Sequence, residues 1–238
     1  LWWLLLRGLS LNRYAKIEEK LKREIVLLKG RPCFWGKCTF CDYIEDNTVD
    51  IDDAVRENRE ILQNVTGEFG VLECINSGNV FELPEQTKID IRNLIHEKNI
   101  HTLVFEAHYI FKNRLHEIRE FFGCEVLFKT GIETFDYDFR ENVLNKNAKF
   151  TYVKDVSDYF DSACLMVGIK GQTKEMIEKD IEIGLSNFKW ITINIFINNS
   201  TPIKRDDELV KWFLENHYDL KDHPKVEMLV ENTDLGVG

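Results

Sequence analysis

Short apolar runs separated by longer amphipathic stretches recur along the chain. They are "EIVLLKG" (24–30), "GVLECINSG" (70–78), "TLVFEAH" (102–108), "EVLFKTG" (125–131), "ACLMVGI" (163–169) and "WITINIFI" (190–197), with "KVEMLV" (225–230) a possible seventh. Near-continuous apolar runs of this length suit strands of a parallel sheet, which are covered on both faces. Between the first two, Ile51, Ala54, Val55, Asn58, Ile61, Leu62 and Val65 fall on one face of a helix. Further helices are predicted over 85–98, 112–122, 136–146, 174–187 and 206–216.

Strands alternating with helices predict repeated βα units with right-handed crossovers. Six such units are fewer than the eight of a closed barrel, so the expected fold is α/β, an open, partial TIM barrel of the (β/α)6 kind. Its chemistry should sit at the carboxyl ends of the strands. The 238 residues are read as a single domain, with a core over about 24–200 and a C-terminal helix and possible extra strand in 201–238.

Composition narrows the partners. The formal net charge of -10 weighs against nucleic acid, because binding phosphates requires Lys and Arg to displace counterions. The opening "LWWLLLRGLSLNRYAK" has six apolar residues before Arg7, against the ~20 that span a bilayer. It is read as a docking segment or a trimmed end. With no export signal in view, a cytoplasmic location and reduced cysteines are expected, and clustered thiols then mean metal or redox chemistry more often than disulfides.

Such a cluster follows the first predicted strand, where "PCFWGKCTFCDY" (32–43) holds Cys33, Cys38 and Cys41. Three thiolates could bind zinc with a fourth donor, or three irons of a [4Fe-4S] cluster. The loop offers zinc only the carboxylates Asp42, Glu45 and Asp46 as a fourth ligand. A three-cysteine cluster instead leaves one iron open, and an open position is what metal catalysis needs. The other strand ends are polar and glycine-rich: Asn76, Ser77, Gly78 and Asn79; Gly131 and Glu133; Gly168, Gly171 and Thr173; Asn194, Asn198 and Asn199 around Phe196. Singly, each suits an ordinary turn or helix entry; together they line the predicted active edge. Cys74, Cys124 and Cys164 lie in or beside predicted strands and are read as packing residues.

"CFWGKCTFCDY" followed by "NSGN", "GIET" and "GIKGQT" on successive strands resembles the radical S-adenosylmethionine (SAM) superfamily, over about 24–200. The resemblance implies that Cys33, Cys38 and Cys41 hold a [4Fe-4S] cluster whose fourth iron binds the amino and carboxylate groups of S-adenosyl-L-methionine. Reductive cleavage of that cofactor would give methionine and a 5'-deoxyadenosyl radical, with flavodoxin or ferredoxin as the kind of electron donor. Phe40 would lie against the adenine. Ser77, Gly78 and Asn79 stand where the family has a Gly-Gly-Glu stretch that receives the methionine amine. Glu133 would reach the ribose, and Gly168, Ile169 and Gly171 would pack on the adenine, with Phe196 beside them. There are two departures. Four residues, Phe34 to Lys37, separate the first two cysteines where the family usually has three, and Ser-Gly-Asn lacks a carboxylate for which Glu82 or Glu106 could substitute.

"GIETFDYDFRENVLNKN", with the Ser-Gly pattern, is similar to members that handle 7-deazaguanine bases. This implies a lyase that cleaves the C–N bond of free queuine and releases 7-aminomethyl-7-deazaguanine. A base within tRNA is the alternative in the same superfamily, and a non-catalytic iron-sulfur or zinc protein is the alternative outside it. The acidic balance favours the free base. Such a base needs carboxylate or amide partners and an apolar wall. Asp42, Tyr43, Glu45, Asn76, His108, Asn198 and Asn199 are the candidates, the first three also for catalysis, and a structural role for His108 is the competing reading.

Overall fold

In the computed structural model, which describes residues 13–230, the apolar runs assemble into one eight-stranded sheet in strict chain order. The strands are β1 (Tyr14–Ile17), β2 (Arg23–Leu28), β3 (Val71–Asn76), β4 (Thr102–Glu106), β5 (Glu125–Glu133), β6 (Ser162–Val167), β7 (Trp190–Ile195) and β8 (Val226–Leu229). β1 pairs antiparallel to β2, and each later neighbour pairs parallel. The helices are α1 (Ile51–Leu62), α2 (Glu85–Glu97), α3 (Leu115–Phe122), α4 (Lys154–Ser157), α5 (Lys174–Asn187) and α6 (Asp207–His217). The sheet curls into an α/β half-barrel, the partial TIM barrel expected, and the possible seventh strand is real.

Two segments depart from the sequence reading. The end of the opening stretch enters an edge strand, Tyr14–Ile17; residues 1–12 of that stretch lie outside the described residues. The helix predicted over 136–146 is instead a single π-helical turn, Phe139–Val143, followed by irregular chain. Asn145 and Asn147 there take left-handed backbone (φ 50° and 57°), which Asn tolerates better than most residues.

The two faces of the sheet differ. Leu28, Leu72, Leu103, Phe128, Leu165 and Ile191 are buried in one core with helix residues such as Ile91 and Ile181. The lumen instead carries charge. Glu73 accepts hydrogen bonds from Arg23 Nε and, at 2.8 Å, from Lys129 Nζ, while Arg23 Nη2 reaches Glu227 at 2.7 Å. Burial alone would raise the Glu73 carboxyl; the two cations outweigh it and hold the group ionised. Removing one member of such a buried set leaves the others uncompensated.

Asp180 on α5 shows the opposite balance. Its Oδ1 accepts from Phe135 N at 2.7 Å and the Thr134 hydroxyl also favours the charged form, but burial outweighs both and raises the carboxyl to about 6. A folded-state value above the unfolded one means the native chain binds the proton more tightly, so stability falls as pH rises from about 4 to about 6. Asp180→Asn removes this dependence. In thermal melts, the stability difference should shift in favour of the variant by on the order of 1–3 kcal/mol between pH 4 and pH 7; parallel pH profiles would refute it.

Candidate active site

At the carboxyl ends of the strands lies a cavity of about 330 Å³, within the range that small-molecule sites occupy. Cys33, Cys38 and Cys41 line it together, with Phe40, Asp42, Tyr43 and Glu45 from the same loop. Asn76, Ser77, Gly78 and Asn79 come from the end of β3, Glu106 and His108 from the end of β4, and Gly131 and Glu133 from β5. Thus most residues singled out in the sequence share one wall.

The loop is held in place by the segment that is not a helix. Thr39 N donates to Leu144 O at 3.0 Å, Thr39 Oγ1 to Val143 O at 2.7 Å, and Trp35 Nε1 to Asn145 O at 2.7 Å. In return Asn145 Nδ2 donates to Lys37 O at 2.7 Å. A continuing helix would spend those carbonyls on its own next turn; unwinding frees them for the cysteine loop. Gly36 takes φ 57° inside the four-residue spacer, a conformation that suits glycine. At the loop's outer end Phe34 packs edge-on against Phe111 (4.9 Å) and His108 (5.2 Å).

Glu133 adopts left-handed backbone (φ 66°) where β5 shifts register against β6. Its Oε1 accepts from Lys146 Nζ at 2.7 Å, and both groups line the cavity. A Cβ on Gly131 would come within 2.7 Å of that carboxylate oxygen, so glycine there makes room for the pair. Non-glycine residues in this region cost of order 1–3 kcal/mol and persist where the surroundings over-determine them, typically at functional sites. Lys146 also lies 5.5 Å from the Phe40 ring centre, which makes it a central group of the site. Sequence reasoning missed it, and the two flanking asparagines were the available signal.

Several candidates are already engaged. His108 Nε2 donates to Lys146 O at 2.9 Å and Nδ1 accepts from Ile110 N at 3.2 Å; burial and Lys146 lower its pKa to about 4, so the ring is neutral at pH 7 and both nitrogens serve the backbone. Ser77 Oγ donates to Asn47 at 2.5 Å, and Asn76 Nδ2 to Asn79 O at 3.2 Å. Asn79 caps the short helix Val80–Glu82, and Glu82 closes that capping box and does not line the cavity. Of the two carboxylates considered as substitutes, Glu106 alone faces the cavity.

Other candidates lie outside the cavity wall. Ile169 and Phe196 are buried beside Phe40 in a small cluster with Phe139, Leu144 and Met166. Gly168 permits approach of α6, since a Cβ there would meet Val210 at 2.2 Å, and Gly171 faces Phe139. Asn198 accepts from Arg205 N at 2.9 Å, whereas Asn199 Nδ2 donates to Phe40 O at 2.7 Å and so steadies the cysteine loop from behind. Cys74 is fully buried in the helix-side core, as read, but Cys164 lines the cavity.

The donor set fits a cluster. Burial pushes the Cys38 thiol up and the Cys41 thiol to about 12, so neither ionises without added positive charge, which bound iron supplies. Among the described residues no three His, Cys, Asp or Glu side chains gather around one ion position. Thiols that share a wall in this way can each take a separate iron of a polynuclear centre.

A parallel half-barrel with a three-cysteine loop at its carboxyl edge is the architecture of a radical SAM enzyme. The structure superposes on that of queuine lyase from Clostridium spiroforme bound to SAM and queuine with a TM-score of 0.93, at 57% identity, over 96% of this chain and 100% of that one. The chain belongs to the queuine lyase family. Streptococcus suis SuiB bound to S-adenosylmethionine shares the fold, with a TM-score of 0.51 and 13% identity over 86% of this chain and 46% of that chain. No family model matches the chain. No curated protein matches it either.

Proposed function

We propose that the chain is a radical SAM lyase that cleaves the C–N bond of free queuine and releases 7-aminomethyl-7-deazaguanine. The observation that carries this reading is the single cavity in which three thiols meet a row of carboxylates and amides, in a chain 57% identical to a queuine lyase. Cys33, Cys38 and Cys41 would hold the [4Fe-4S] cluster, which when reduced supplies the electron that turns S-adenosylmethionine into a source of a hydrogen-abstracting adenosyl radical.

The remaining work falls to the protein's own side chains. Phe40 gives a flat apolar wall for the adenine, and Glu133, oriented by Lys146, accepts from ribose hydroxyls. Asp42, Tyr43 and Glu45 line the cavity, where acceptors suit a substrate rich in N–H and O–H groups. Ser200 Oγ donates to Glu45 at 2.9 Å, so that side chain is already oriented. Among the described residues no helix is long and apolar enough to cross a membrane. A flavodoxin- or ferredoxin-type electron donor and a cytoplasmic setting are part of this proposal.

The test is anaerobic turnover of the reconstituted, reduced protein with S-adenosylmethionine and either free queuine or queuosine-containing tRNA. Free queuine should yield 5'-deoxyadenosine together with 7-aminomethyl-7-deazaguanine. Turnover with the tRNA alone would replace this reading by a tRNA-modifying one.

A further inference from the structure

The lumen beneath the cysteine loop contains four carboxylates, and three already have a cation. Glu73 is paired with Arg23 and Lys129, Glu227 with Arg23, and Glu133 with Lys146. The fourth is Glu106, the last residue of β4, which lines the cavity and makes no hydrogen bond or ion pair among the described residues. Lys129, its neighbour in register on β5, lowers the Glu106 carboxyl electrostatically but spends its hydrogen bond on Glu73 at 2.8 Å. Burial outweighs the nearby cations and raises the Glu106 carboxyl. Burying a lone carboxylate is costly, and such groups are normally paired.

A second polar group lining the cavity, on β7, also lacks a partner among the described residues. Asn194 of β7 is 8% exposed, lines the cavity, and its Oδ1 is buried without a partner. Ile75, Ala107 and Met166 add apolar surface to the same cavity. Two acceptors without partners among the described residues, one of them anionic, suit a ligand bearing a positive charge and two N–H bonds. A secondary ammonium has both. The pairing edge of a deazaguanine has N–H donors but no charge to offset that of Glu106. The methionine amine of the cofactor is expected at Ser77, Gly78 and Asn79 after β3, so this assignment replaces the reading of Glu106, at the end of β4, as their missing carboxylate.

We infer that Glu106 and Asn194 form an ammonium-binding site that reads the exocyclic amine of the substrate rather than its ring edge, and so place the scissile C–N bond in the lumen. This rests on the proposed 7-deazaguanine substrate. It assigns binding and positioning to the two residues.

The test compares two ligands with the same bicyclic ring on the anaerobically reconstituted protein: 7-aminomethyl-7-deazaguanine, a primary ammonium, and 7-cyano-7-deazaguanine, which is neutral. Equilibrium affinities are measured for the parent, Glu106→Gln and Asn194→Ala, with melting curves to establish that each variant is folded. Glu106→Gln keeps the side chain's shape, so its expected effect is specific: affinity for the aminomethyl base falls between about tenfold and a hundredfold. Affinity for the cyano base stays within about twofold of the parent's, the usual range for a site with no charged contact to lose. Asn194→Ala should show the same selectivity with a smaller loss. Equal losses for both bases, or none for either, would overturn the inference while leaving the proposed substrate intact. A parent that binds neither base overturns the substrate reading and this inference with it.

Discussion

Replacing Cys38 with alanine should abolish turnover, lowering 5'-deoxyadenosine formation by at least about a thousandfold, or ~4 kcal/mol of transition-state stabilisation. Cys38 sits between the other two proposed ligands, lines the cavity, and has its carbonyl 3.4 Å from Cys41 N within the tight turn that presents both thiols. A cluster left with two protein ligands should not survive anaerobic desalting, so the iron and sulfide content of the variant should collapse along with the activity. The fold should remain, because the loop is held by backbone contacts to Val143, Leu144 and Asn145 that do not involve the thiol. Iron content equal to that of the parent, or a melting temperature lowered as far as that of a core variant, would contradict this account. Cys33→Ala and Cys41→Ala should match it, whereas Cys124→Ala, on a cysteine outside the cavity wall, should leave iron content and turnover unchanged.

The largest loss of stability is expected from Arg140→Met. Arg140 is fully buried; its guanidinium donates to Thr134 O (3.1 Å), Ala148 O (3.0 Å) and Phe150 O (2.7 Å) and lies 3.6 Å from the Phe150 ring centre. Methionine approximates the apolar stem but leaves the carbonyls of Thr134 and Phe150 without donors in a buried interior, while Ala148 O keeps only its bond from Phe150 N at 2.8 Å. Orphaned buried groups of this kind cost about 1–3 kcal/mol each and are not fully additive, so a loss of about 3–5 kcal/mol is expected. For a chain of this size that corresponds to a melting temperature lowered by roughly 10 °C. The effect should reach the active site, since the same segment carries Lys146 and the carbonyls that hold the cysteine loop. Iron retention should therefore fall as well. Arg140→Lys keeps the charge but has one nitrogen for three carbonyls, and should recover only part of the loss. An unchanged melting temperature in the methionine variant would show that the hub is not structural.

Arg140 also marks where sequence reading stopped. The segment from Asp136 to Lys146 has apolar residues at helical spacing and few breakers, so periodicity alone assigns a helix. Its conformation is decided by partners elsewhere: Trp35, Lys37 and Thr39 at one end, and Ala148 and Phe150 curling back on Arg140 at the other. Only the Asn-Lys-Asn triplet hinted at left-handed backbone. The charged lumen left a comparable hint, a lone Glu73 or Lys129 in the middle of an apolar run. Which of Arg23, Glu73, Lys129 and Glu227 would pair depends on side chains brought together from four strands.

The parallel strands were legible because each must be apolar along its whole length to pack against helices, a local requirement that every run states for itself. The three-cysteine spacing was legible for the same reason, since thiols that serve one centre from one loop lie within a few residues of each other. Tertiary structure alone decided that Lys146 meets Glu133, that His108 spends both nitrogens on the backbone, and that Glu106 and Asn194 share a cavity without a partner. Pairings between residues far apart in the chain are set by the curl of the sheet and the path of its loops. A single residue's identity carries no record of either.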